Sequence, residues 1–430
     1  MKYPTPSADN TSIASKKQDT DIIKTGIVLL VIASSVFFFR LIFLDIDFIY
    51  IIQFATIILL CLLLIFQVIY WNIPIGKHHF TTPLLLIFTG VFLSMLTANI
   101  EHNQGFMTSL WAQRFMYFYL FYFVLHILQL PAANLEKLLF FTGVAYALAF
   151  ILQYIAYPKL LFAVRHGVER GTIRIFIPGL FIMNIAYFIA FTRILFNNSF
   201  KYIPYILLFY CVYILSGTRS VIAGPTVVTI VILIFSNKIK SKALIILLVM
   251  AVVGVTFYMF QDIILNLVSI SREQTAHSAE DIRVRAARFF LNDFFPSKVA
   301  YITGNGEGHL SSAFGREVHS YKVHYGYYQS DIGIIGEYTK YGAMFLIGAT
   351  ILTYKGIMTN IGTNFNYIRY FFILLLISAP LGLFFTLPDS IVPICILLYI
   401  IDYQKNKQPA LQKRPLVYFP EFDNPHNDIE

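Results

Sequence analysis

Apolar runs recur along this chain, most of them about 16 to 25 residues long, enough as helix to cross about 30 Å of hydrocarbon. They fall at 24–43, 48–71, 81–100, 112–130, 138–157, 175–196, 203–216, 220–236, 243–265, 333–353, 367–387 and 390–403, the seventh and twelfth being short. The pattern predicts an all-α polytopic membrane bundle of about 12 transmembrane helices. It divides the chain into a polar tail (1–23), nine helices (24–265), one large loop with amphipathic helices (266–332), three helices (333–403) and a second tail (404–430).

Composition sharpens this picture by excluding a soluble fold. With 57% apolar and 13% charged residues, a 430-residue chain has too little polar side chain to cover its own surface. The 42 Phe and 28 Tyr suit a lipid-facing surface with aromatic belts. Cys61, Cys211 and Cys395 each lie inside an apolar run, which argues against a disulfide framework or a cysteine metal site. The N-terminal tail carries Lys2, Lys16 and Lys17 and is followed by no small-residue cleavage pattern, so it is expected to remain as an uncleaved cytoplasmic tail.

With the first tail inside, the inner loops hold Lys77, Lys137, Lys201, the Lys238, Lys240 and Lys242 cluster, Lys355 with Arg369, and the basic C-terminal tail. That satisfies the positive-inside rule and puts both termini in the cytoplasm. The two basic residue types then separate: 11 of 14 arginines fall on the outer side, against 4 of 18 lysines. Lysine suffices to orient helices, whereas a guanidinium fork grips phosphate oxygens bidentately. An anionic, phosphate-bearing ligand outside is therefore expected, although the net charge of +9 equally suits attraction to anionic headgroups.

Several outer residues are candidates for that chemistry. Arg219, in the polar break Ser216-Gly217-Thr218-Arg219-Ser220, sits at the membrane boundary; the competing reading is an arginine snorkelling from a helix end. Arg114 is a further candidate, as are Arg283, Arg285 and Arg288 in the loop. Around them Val284, Ala287, Leu291 and Phe294 recur at helical spacing, the pattern of an amphipathic helix lying on the membrane surface. Gly304-Asn305-Gly306-Glu307-Gly308-His309 lacks the Lys-Ser/Thr of a phosphate-binding loop and reads as a tight loop. His309, His319 and His324 have no metal-ligand spacing, so no metal is expected, and any of them is a candidate base. Asp331, where the chain re-enters the membrane, is the leading candidate for the base, and Glu337 is expected to pair with Lys340 at i,i+3.

The order of these parts resembles the O-antigen polymerase and ligase superfamily of bacterial membrane glycosyltransferases. The resemblance rests on Ser216 to Ser220, then Arg283, Arg285 and Arg288, then Ser330 to Gly342, and covers roughly residues 205 to 350. It implies metal- and cofactor-independent transfer of a glycan from undecaprenyl pyrophosphate on the periplasmic face of the inner membrane. Arg219, Arg114 and the Arg283 to Arg288 group would stabilise the leaving pyrophosphate, with Asp331, His319 or His324 as base. Where the ligase branch places a His-Asn pair, this chain reads Gln329-Ser330-Asp331, closer to the repeat-unit polymerases. The implied partners are an undecaprenyl-pyrophosphate-linked oligosaccharide and membrane lipids, with a chain-length regulator left open and no nucleic acid. An O-antigen ligase, a transporter or flippase of an anionic lipid-linked sugar, and a lipid-anchoring protein without chemistry remain as alternatives.

Overall fold

The computed structural model describes residues 8–71, 78–164, 166–169, 172–235 and 281–412. The predicted ninth span at 243–265, the lysine cluster at 238–242, Arg165, Arg170 and Arg272 lie outside them.

The chain is mostly helical, at 78%. In order come α1 (Ala8–Ser35), α2 (Ile46–Trp71), α3 (Thr81–His102), α4 (Phe106–Ala112), a 3₁₀ turn (Arg114–Tyr119), α5 (Leu120–Leu128) and α6 (Ala132–Ala156). The hairpin β1 (His166–Glu169) and β2 (Thr172–Ile175) precedes α7 (Leu180–Asn197), α8 (Ile203–Leu215) and α9 (Arg219–Phe235). After the loop helices α10 (Ile282–Asn292), α11 (Ala300–Thr303) and α12 (Ala313–Tyr325) follow α13 (Ile334–Met358), α14 (Asn366–Ser378) and α15 (Pro388–Gln412).

Five described helices are long and apolar enough to cross a membrane: Ile46–Ile69, Thr81–His102, Ala132–Ala156, Leu180–Asn197 and Ile334–Met358. Arg114–Leu128, Phe200–Leu215 and Arg219–Ile234 are shorter apolar helices. Burial shows which faces meet which neighbours. The apolar window of α2 is only 28% buried, and Ile51, Phe54, Ile58, Leu62, Ile65 and Ile69 all stand exposed at helical spacing. Such a stripe in water would cost roughly 25 cal/mol per Å², so lipid is its natural solvent. By contrast the α7 window is 78% buried, which makes this helix the centre of the bundle.

Small residues let the helices approach. A Cβ on Gly90 of α3 would meet Phe345 N of α13 at 2.6 Å, and one on Gly348 would meet Pro83 O at 2.7 Å. On α6, a Cβ at Gly143 would meet Ala186 Cβ of α7 at 2.4 Å.

The predicted span at 24–43 stops at Ser35, ahead of Phe37–Arg40 at positive φ, and that at 112–130 is divided by a 3₁₀ turn; three further expectations change. The first concerns the run at 333–353, which is not one regular helix: Gly342, at φ +75°, interrupts α13. Into that break the glycine-rich loop inserts, with Asn305 N–H donating to Thr339 O (2.9 Å) and Gly306 N–H to Lys340 O (2.8 Å). A helix that gives up its own hydrogen bonds away from water needs such donors.

In the second, the run at 367–387 is helical only to Ser378, because Pro380 and Pro388 bracket a stretch that cannot continue the helix. Glu337 holds this stretch, its Oε1 accepting from Phe384 N (2.9 Å), Phe385 N (2.8 Å) and Thr386 Oγ1 (3.3 Å). Glu337 is thus not the partner of Lys340.

In the third, the loop helix α10 buries Ala286 and Phe290, with Phe294 beyond its end, against Phe314 and Ile332, while Val284 is exposed. It packs on protein through a face rotated from the one its sequence suggested. The adjacent Phe289 and Phe290 leave the phase of the apolar stripe ambiguous.

The docking of the loop into the break gives a test. Gly304 has φ +77°, and a Cβ there would meet Gly342 N and Lys340 O at 2.5 Å. Gly304→Ala is expected to destabilise the purified protein by more than the about 1–2 kcal/mol of a left-handed L-residue alone. Gly26→Ala, inside α1 where a Cβ meets nothing within 4 Å, is expected to be neutral to slightly stabilising in the same thermal unfolding series.

Candidate functional site

At the α13 break the chain forms a cavity of about 390 Å³, lined by residues 112–115, 307–310, Lys340, Tyr341, Leu383, Thr386 and Leu387. Its walls follow from local sequence. The α3 helix ends in left-handed Asn103, and Gln104 behind it is fully buried. Gln104 then ties three segments together: its Nε2 donates to Ser109 Oγ (3.0 Å) and Glu307 O (2.9 Å), and its Oε1 accepts from His309 N (3.0 Å) and Ser312 Oγ (2.7 Å). Ser312 also caps α12, accepting from Gly315 N at 2.9 Å.

The switch from α4 to the 3₁₀ turn at Gln113 brings Gln113 and Arg114 to the cavity wall. Gln113 is 1% exposed, and its Nε2 donates to Ser94 Oγ at 3.1 Å. Its Oε1 has no protein partner, a buried acceptor that a ligand donor or a water would satisfy. The Arg114 guanidinium lies over Phe115 (4.4 Å) and Tyr50 (5.2 Å) and donates through Nη1 to Trp111 O (3.2 Å). Stacking fixes the fork while leaving N–H groups for an anion.

Opposite, Lys340 Nζ lies 2.9 Å from Glu307 Oε1 and 2.8 Å from Oε2, and Tyr341 donates to Glu307 Oε2 at 3.3 Å. The lining therefore sets Arg114, Lys340 and His309 against one carboxylate, Glu307. His309 Nδ1 accepts from the Ser311 backbone N–H at 3.3 Å and lies 2.7 Å from Ser311 Oγ, so a neutral ring carries its proton on Nε2 and Nδ1 is its basic nitrogen.

Of the candidate residues singled out from sequence, Arg114 and His309 line this cavity, whereas Arg219, Arg283, Arg285, Arg288, His319, His324 and Asp331 do not. Arg283, Arg285 and Arg288 are exposed on α10. His319 and His324 are exposed on α12, where His324 Nδ1 lies 3.0 Å from Ser320 O. Asp331 is exposed in the turn before α13, its Oδ1 accepting from Ser330 Oγ at 3.2 Å. Arg219 is half-buried at the start of α9, after Gly217 at φ +61°. Gln113, Tyr341 and Thr386 escaped the sequence reading, although two glutamines, Gln104 and Gln113, around an apolar run beside Arg114 were a usable signal.

A second polar cluster lies at the other end of the bundle. Ligand atoms of His78, His126 and Asp402 lie within 4.8 Å of one another. The two imidazoles stack at 3.6 Å and 11°, so their in-plane lone pairs run side by side rather than converging on one ion. Tyr122 donates to Asp402 Oδ2, and the group reads as a buried polar network.

Comparison with protein-family models and with curated proteins finds no match to either.

The Glu307–Lys340 pair is testable by a double-mutant cycle. Lys340 is 8% exposed, so Glu307→Gln leaves a buried ammonium without its counter-charge. A loss of about 1–3 kcal/mol is expected, discounted because the Glu307 side chain is 30% exposed. The double variant Glu307→Leu/Lys340→Met is expected to recover most of it in thermal unfolding.

Proposed function

We propose that this chain is a membrane glycosyltransferase that polymerises undecaprenyl-pyrophosphate-linked oligosaccharide repeats on the periplasmic face of a bacterial inner membrane. In this reading about 12 spans cross the bilayer, both termini are cytoplasmic, and the 266–332 loop is periplasmic. The observation that carries it is the cavity whose lining brings Arg114, Lys340 and His309 together around one carboxylate, Glu307.

The chemistry follows from those groups. An acceptor sugar hydroxyl attacks the anomeric carbon of the donor, the carbon–oxygen bond to the diphosphate breaks, and the hydroxyl proton passes to His309. The diphosphate leaves with one more negative charge, which the Arg114 guanidinium stabilises as a metal ion otherwise would, while Lys340, paired with Glu307, offsets that carboxylate's repulsion of the diphosphate. Because Asp331, His319 and His324 are exposed and outside the cavity, His309 is the base best supported by position. Arg283, Arg285 and Arg288, exposed on α10, supply long-range attraction for an anionic lipid.

Purified protein given a lipid-pyrophosphate-linked repeat should yield a ladder of products. A single transfer to lipid A core would instead identify a ligase, and translocation without transfer a transporter. Arg114→Lys is expected to lower turnover at least about tenfold, by the bidentate grip lost; His309→Asn should do so while Asp331→Asn, His319→Ala and His324→Ala stay within about twofold. Full activity in the Arg114→Lys protein would remove the guanidinium from the mechanism.

Topology is checked separately. Cysteine placed at Arg316 should react with an impermeant maleimide from the periplasmic side, and cysteine at Lys137 only after permeabilisation; the reverse pattern would sink the transferase reading.

A further inference from the structure

At the end of the bundle away from the Arg114 cavity, α6 begins, α7 ends and α15 runs out, and a second cavity of about 520 Å³ opens between them. Its lining gathers Lys137, Arg193, Lys201 and Lys407 around a single carboxylate, Glu136. That carboxylate is already taken, because Arg193 Nη2 bonds Glu136 Oε1. Among the described residues, the lining thus leaves three ammonium groups with no carboxylate of its own to neutralise them. Two are held by aromatic faces rather than left to roam: Lys201 Nζ lies 5.7 Å from the Tyr202 ring and Lys407 Nζ 4.6 Å from the Tyr403 ring. Pro131, Ala132 and Ala133, the first turn of the 25-residue helix α6, line the same cavity and turn the positive end of its dipole toward it.

A groove of about 340 Å³ adjoins this cavity and shares Glu136, Lys137, Lys201 and Tyr202 with it. Here the lining changes character, to Phe140, Phe141, Ile189 and Tyr205. Phe140 packs edge-on against Tyr202 (5.6 Å) and Tyr205 (5.1 Å), and Phe141 stands 63% exposed beside them. A cation-lined pocket continuous with an aromatic groove on the outside of an apolar helix has the two-part character of a phospholipid, an anionic head and an acyl chain.

We infer that this paired cavity and groove bind an anionic glycerophospholipid, with the phosphate among Lys137, Lys201 and Lys407 and the first part of a chain along Phe140, Phe141 and Tyr205. Lysines that merely orient helices need only sit in the flanking loops, and nothing obliges them to converge. Convergence on one pocket, where the only carboxylate among the described lining residues is bound to arginine, is what distinguishes a site from a basic surface. The inference needs the bundle to lie in a bilayer, and it holds whether or not the Arg114 cavity is catalytic.

The test is native mass spectrometry of the full-length protein released from detergent micelles doped with phosphatidylglycerol, phosphatidylcholine or glycerol 1-phosphate. The wild type should retain phosphatidylglycerol over phosphatidylcholine. Lys201→Gln and Lys407→Gln should each weaken retention roughly fivefold, as expected for a lysine at an anionic headgroup. Lys405→Gln, two residues from Lys407 on the same helix but absent from the lining, should change it less than about twofold by the same reckoning. Tyr205→Ala should weaken the lipid while the protein keeps its unfolding temperature. Equal losses for Lys405→Gln and Lys407→Gln would reduce the site to a diffuse basic surface and overturn the inference. Glycerol 1-phosphate bound as well as the lipid, with Tyr205→Ala silent, would replace the lipid by a soluble phosphate, and no selective retention would remove the site.

Discussion

The interaction on which the rest depends is the insertion of the Gly304 to Gly308 loop into the broken helix α13. Breaking a helix inside a bundle strands buried carbonyl groups, and those of Thr339 and Lys340 would otherwise lose their partners. Backbone N–H groups of Asn305 and Gly306 take that place, so the break and the loop stabilise each other. One consequence is positional. The same insertion carries Glu307 to Lys340 and delivers Gly308 and His309 to the cavity wall. Gln104 and Glu337 brace the arrangement from two sides, the first by holding Glu307 and His309, the second by pinning the segment that closes the cavity at Thr386.

The two ends of the bundle use basic residues differently. Around the loop, a guanidinium is stacked on aromatic rings and a lysine is neutralised by a carboxylate, which leaves a small, shaped field. At the opposite end three ammonium groups share a wide opening, and the imidazoles of His78 and His126 sit a ring's thickness apart over Asp402. Burial lowers the basicity of His78, the neighbouring His126 adds to that effect, and Asp402 opposes it.

Helix positions were legible where lipid sets the rule. The predicted runs at 48–71, 81–100 and 220–236 fall within two residues of α2, α3 and α9, because a span must be both long and apolar. Apolarity reports the solvent, however, and not the backbone. The stretch 379–387 is apolar enough to extend a span, yet it is irregular, since the hydrogen bonds that hold it come from Glu337, some 47 residues away for Phe384. The site was legible to the same limited degree. Arg114 was a candidate as one of the outer-side arginines, whereas Glu307 and Lys340, 33 residues apart, meet only through the fold. Local spacing favoured Glu337 with Lys340, and tertiary geometry separated them.

Gly304 and Gly342 occupy each other's missing side chains. A Cβ on the first would strike the backbone nitrogen of the second at 2.5 Å, and a Cβ on the second would strike that of the first at 2.6 Å. Each obstacle is main chain, so shrinking or reshaping a neighbour's side chain offers no relief, and altering both positions together compounds the collision. Divergent descendants of this chain are consequently free to exchange most lipid-facing residues, but this pair has no route by which one change can make the other tolerable.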